Sequence, residues 1–219
     1  MPVSIFSGLA IAGTGVVALA VTCSALSYRG RNGERYSLLN HFISELGEWG
    51  VSRAAWAFNG GLVLAGLLFL PFAIHLGTVL GSVLGWVGAF FAAAASLGVT
   101  AVGLFPMNTL KRHVPAAIAF FDGGLLMVIA IGLAILTQPA GRVVVPRIAS
   151  LLSLLAVFAF GSFVTLPRIL MPEAGRISLL DPRIMPERPR FWILPFMEWQ
   201  VFFTAICWLL GMAFFVPGT

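Results

Sequence analysis

Residues 54–76 read AAWAFNGGLVLAGLLFLPFAIHL, 23 residues without one charged side chain. A bilayer core needs about 20 consecutive apolar residues to be crossed by an α-helix. The stretch meets that length, and Arg53 stands immediately before it. Five further stretches share the pattern, near 5–27, 80–105, 115–137, 146–167 and 191–215. Hydrophobic residues make up 59% of the chain and charged residues 10%, with a mean hydropathy of +1.00. A soluble domain carries about 25% charged residues. The expected fold is all-α: one polytopic bundle of six transmembrane helices spanning 1–219, with a short interfacial helix in the first loop. The first span lacks a basic leader and has a long apolar core, so it reads as a span and not as a cleaved signal. The longest connection, about 168–190, is too short to fold alone.

The charges are distributed unevenly. Six spans place both termini on one side and loops one, three and five on the other. Arg29, Arg31, Arg35, Arg53, Lys111, Arg112, Arg168, Arg176, Arg183, Arg188 and Arg190 fall in or beside the odd loops, eleven of the 13 basic residues. Arg142 and Arg147 fall on the terminal side. The positive-inside rule then makes the odd loops cytoplasmic, in a bacterial plasma membrane. A formal charge of +5 distributed this way points to lipid phosphates and not to nucleic acid.

Loop one, about 28–53, has a helical period. Leu39, Phe42, Ile43 and Leu46 mark one face, and His41, Ser44, Glu45 and Glu48 the other. The spacing predicts a short amphipathic helix, at the interface or tucked against the bundle, with Ser37 as its N-cap. Gly77, Gly81 and Gly85, then Ala92 to Ala95 and Gly98, read as close helix packing through a tight hairpin. Pro115 suits the first turn of the fourth span. Loop five, with Pro172, Pro182, Pro186 and Pro189, reads as extended and surface-lying. Cys23 and Cys207 read as buried thiols inside spans.

A polar residue inside a span is costly, so each needs a reason. Asn59, Asp122 and Glu198 lie five to eight residues from the odd-loop surface, roughly 8–12 Å deep at the helical rise. They share that depth because the even spans all start on that face. His41, Glu45, Asn108 and His113 lie at the boundary of the same face, and together the seven could line one pocket. His41, Glu45, Asp122 and Glu198 are the candidate acid–base residues. Ser44, Asn59, Asn108 and His113 are the candidate substrate-binding residues. His41 and Glu45 at i, i+4 could chelate, but no spacing is diagnostic of a metal, and no cofactor is expected. Ser44 has no nucleophile-elbow setting.

Three segments resemble the DRAM/Frag/Sfk family of six-span membrane proteins. Ile43-Ser44-Glu45-Leu46-Gly47 is similar to that family's Ile-Ser-Asp-x-Gly segment. His113 with Ala116-Ala117 and Phe120-Phe121 resembles its His-led fourth span, and Glu198-Trp199 its Glu-Trp pair. Glu45 replaces the usual Asp of eukaryotic members, and His41 lies where they tend to have Pro-Tyr, so the likeness is to the prokaryotic branch. It implies work near lipids: GPI-anchor lipid remodelling, phosphoinositide-kinase recruitment or autophagy modulation. Eukaryotic members have cytosolic termini, the reverse of the charge reading. The leading expectation is a protein that binds or remodels a membrane lipid in a polar pocket on the odd-loop side. A scaffold docking partner proteins through loops one and five, and a small-molecule transporter, are the other readings.

Overall fold

The computed structural model describes residues 4–170 and 188–216. Six helices in that range are long and apolar enough to cross a membrane: α1 (Ile5–Ser27), α2 (Ala55–Leu80), α3 (Val83–Leu104), α4 (Leu110–Leu136), α5 (Ser150–Leu170) and α6 (Ile193–Phe215). Their outward faces carry Leu26, Phe90, Phe158 and Phe214, all exposed. Such surface is costly in water and at home in hydrocarbon. The chain is an integral membrane protein.

The helices form a closed ring. Each packs on the next in chain order, and α6 returns to α1. Small residues set the close approaches. A Cβ added at Gly66 of α2 would lie 2.6 Å from the Ser96 carbonyl oxygen of α3, and one at Gly98 of α3 would lie 2.6 Å from the Phe120 amide nitrogen of α4. The α2–α3 hairpin is as tight as its glycines imply: Gly81 ends α2 at φ 59°, and the Ser82 side chain at once caps α3 by accepting from Gly85 N–H at 3.0 Å. On the same side Gln138 closes the α4–α5 connection. Its amide donates to the Ile135 and Val145 carbonyls and accepts from Val144 and Val145 N–H, so every polar group on it that faces protein is used.

Four expectations change. Helix α4 begins at Leu110, not 115, because Lys111 and Arg112 are exposed on its first turn, where long basic side chains reach the interface. Pro115 therefore sits in the second turn, leaving the Lys111 carbonyl without a helical amide donor. Cys23 and Cys207 are exposed on the outer, lipid-facing surface and not buried. Loop one carries a five-residue 3₁₀ helix (Ile43–Gly47) tucked against the bundle, and its polar side is not turned to water. His41, Glu45 and Glu48 are as buried as Phe42, Ile43 and Leu46. Ser37 starts a turn, its hydroxyl accepting from Leu39 N–H and its carbonyl from the His41 amide. The loop-five expectation on Pro172, Arg176, Pro182, Arg183 and Pro186 lies outside the described residues.

Candidate functional site

Residues 37–49 lie across the odd-loop end of the ring like a strap, held by residues far away in the chain. The Glu45 carboxylate accepts both guanidinium arms of Arg188 at 2.9 and 2.8 Å and the Phe42 N–H at 2.8 Å. Arg188 also donates to the Asn40 carbonyl at 2.7 Å, and Trp192 N–H donates to Leu39 O at 2.8 Å. From within the ring, Glu198 Oε2 accepts the Ile43 N–H at 2.6 Å and Trp199 Nε1–H reaches the His41 carbonyl at 3.3 Å. Asn59 donates from α2 to the Gly47 carbonyl at 2.9 Å. Gly47 has to be glycine here, since a Cβ would run into the Asn59 amide oxygen and the Phe58 ring. Asn108 exchanges two hydrogen bonds with the Trp49 backbone, at 2.8 and 3.0 Å. Burial pushes the Glu45 carboxyl above its ordinary range, against the downward pull of Arg188 and the Phe42 N–H. The same pair holds the Arg188 proton more tightly than usual, outweighing the guanidinium's own burial.

His41 sits inside the strap. Its Nδ1 is 2.7 Å from Asn40 Oδ1, and Tyr28 and Tyr36 present their rings at 5.4 and 5.1 Å. Nε2 is buried with no hydrogen-bond partner among the described residues. Burial, reinforced by the Arg188 charge, pushes the ring's pKa down to about 4, so it is neutral at physiological pH.

Beneath the strap lie two contiguous cavities. A central one of about 120 Å³ is walled by apolar side chains of α1, α2, α3, α4 and α6, among them Val21, Phe58, Val102 and Phe202. Ser44, His113 and Glu198 give it its polar end. A second cavity of about 410 Å³ shares those three residues and extends between α4, α5 and α6 to Asp122 and Arg168. There Arg168 donates to both Asp122 oxygens, at 3.1 and 2.8 Å. The pair is about half-exposed, which makes it the mouth of the site. His113 Nδ1 lies 2.8 Å from the Phe105 carbonyl. A carbonyl can only accept, so Nδ1 carries the proton and Nε2 keeps its lone pair. Ser44 Oγ donates to Met107 Sδ at 3.2 Å.

The chain thus brings together four of the eight candidate residues: Ser44, His113 and Glu198 at the inner end, and Asp122 at the mouth. His41, Glu45, Asn59 and Asn108 are not on the cavity walls; they build and hold the strap that roofs it. Arg188 and Arg168, read from sequence as odd-loop charges for lipid phosphate, are the partners of two of the three acidic candidates, Glu45 and Asp122. Their separations of 143 and 46 residues leave no local signal. Among the described residues no three His, Cys, Asp or Glu side chains group closely enough to hold a metal ion.

A family model described as "Protein of unknown function (DUF998)" matches residues 11–180. The chain belongs to that family. The matched residues include the strap and all of α2 to α5, with Ser44, His113, Asp122 and Arg168; Glu198 lies beyond them. No curated protein and no solved structure matches the chain.

Proposed function

We propose that this protein binds a membrane lipid, with an acyl chain in the apolar chamber and the headgroup at the Ser44–His113–Glu198 end. The carrying observation is the union of the two cavities. An almost wholly apolar chamber ends in three polar residues and continues to a mouth between membrane helices, where a lipid could enter sideways. Ligand sites of this kind are concave, mostly apolar and supplied with a few placed polar groups. The three segments that resemble the DRAM/Frag/Sfk family supply Ser44, His113 and Glu198 respectively, which adds support for lipid work through that resemblance. The charge bias supports a mouth on the cytoplasmic side. If the bound lipid is also remodelled, His113, with its bare Nε2, and Glu198 are the acid–base pair, while Glu45 is committed to Arg188.

Native mass spectrometry of the gently solubilised protein tests this. Ala117 lines both cavities at their junction. The wild type should retain a defined lipid, and Ala117→Phe, which fills the junction, should lose it by about tenfold or more. Bare wild-type protein, or mixed lipid indifferent to Ala117→Phe, would overturn the proposal.

A further inference from the structure

The polar atoms at the inner end of the site are acceptors. His113 has only the Nε2 lone pair left, because Nδ1–H is given to Phe105. Glu198 Oε2 takes the Ile43 N–H, and Oε1 has no hydrogen bond among the described residues. Ser44 spends its hydrogen on Met107 Sδ, leaving oxygen lone pairs. All three side chains line both cavities, and Glu198 and His113 are more than nine-tenths buried. A phosphate brought to this end would meet lone pairs on every side, and no cation among the described residues lines the central cavity. A primary ammonium is the complementary group, with three N–H donors, no acceptor and one positive charge. Choline has the charge without the donors. A polyol has donors without the charge, and so offers nothing to offset a buried carboxylate.

Resting on the lipid-binding reading above, we infer that the ligand is an aminophospholipid of the phosphatidylethanolamine class, its ammonium held by Ser44, His113 and Glu198. Among the described residues the larger cavity's wall carries two carboxylates and one guanidinium, which also disfavours a net-anionic headgroup such as phosphatidylglycerol.

The experiment is a lipid competition on the purified full-length protein, read by native mass spectrometry. Phosphatidylethanolamine, its mono-, di- and trimethylated forms and phosphatidylglycerol, all with matched chains, are offered at equal concentration. Retention should fall stepwise with methylation, by about tenfold from the unmethylated lipid to phosphatidylcholine, with phosphatidylglycerol no better. Glu198→Gln should bring the preference close to unity. The methylation series needs no variant, so it decides the question even if Glu198→Gln misfolds. If lipids bind and Ala117→Phe releases them, but ethanolamine and choline lipids are held equally or phosphatidylglycerol is favoured, the headgroup inference falls and the lipid site stands. If no lipid responds to Ala117→Phe, both fall. If soluble glycerophosphoethanolamine displaces the lipid at equal concentration, the ligand is a water-soluble amine and the lipid assignment is overturned.

Discussion

Two arginine–carboxylate pairs stand on the same side of this molecule and do opposite work. Glu45–Arg188 in the strap is a buried, two-armed pair whose arginine also holds a backbone carbonyl. Asp122–Arg168 at the mouth is about half-exposed. A buried pair broken on one side leaves a charge that neither water nor protein can satisfy. The difference teaches that an ion pair's place in the fold decides its role. The first fastens the roof of the site, and the second stands at its mouth.

The sharpest way to break that comparison is to remove each arginine in turn. Arg188→Ala should destabilise the protein by about 3–5 kcal/mol, since Glu45 is then buried without its partner. Thermal unfolding in detergent would show this, and a loss under about 1 kcal/mol would mean the strap is held without the pair.

Acid titration of the strap gives the next largest effect. The His41 pKa is pushed from 6.5 down to about 4 in the fold by burial and by Arg188, with Glu34 and a backbone hydrogen bond to Ser37 acting the other way. Between those values the unfolded chain binds the extra proton, so stability is full above 6.5 and falls as pH drops toward 4. The loss should reach about 3 kcal/mol. Glu45, raised by burial, acts in the opposite sense, because its folded form binds a proton more readily than the unfolded chain. His41→Gln should therefore lessen the acid-side loss by about that amount. An unchanged pH profile in that variant would remove His41 from the account.

The smallest effect belongs to the mouth. Arg168→Ala should cost less than Arg188→Ala, because less of the mouth pair is enclosed by protein. A melting shift as large as that of Arg188→Ala would show that the mouth is a structural clamp and would erase the contrast between the two pairs.

Much of this arrangement was legible before any coordinates, for a physical reason. Hydrocarbon thickness and the cost of charge within it leave few ways to write a span, so residues such as 54–76 declare themselves. Asp122 and Glu198 were expected to line one pocket, and both do line one cavity. What misled was local reasoning at the interface. Lys111 and Arg112 read as loop but begin α4. The period of Leu39, Phe42, Ile43 and Leu46 promised one wet face, yet Glu45 and His41 turned inward. Arg188 and Trp199, which meet them, come from distant parts of the chain, and Tyr28 and Tyr36 from just before them.

The amino-acid sequence by itself determined that the chain crosses a membrane six times and that its polar residues gather at one end. Composition and periodicity respond to the solvent, and the bilayer is a severe solvent. The tertiary structure alone decided which of those polar residues face a cavity and which are spent on one another. That choice depends on donors and acceptors brought together across as many as 158 residues, as between His41 and Trp199, and no local pattern encodes such a meeting.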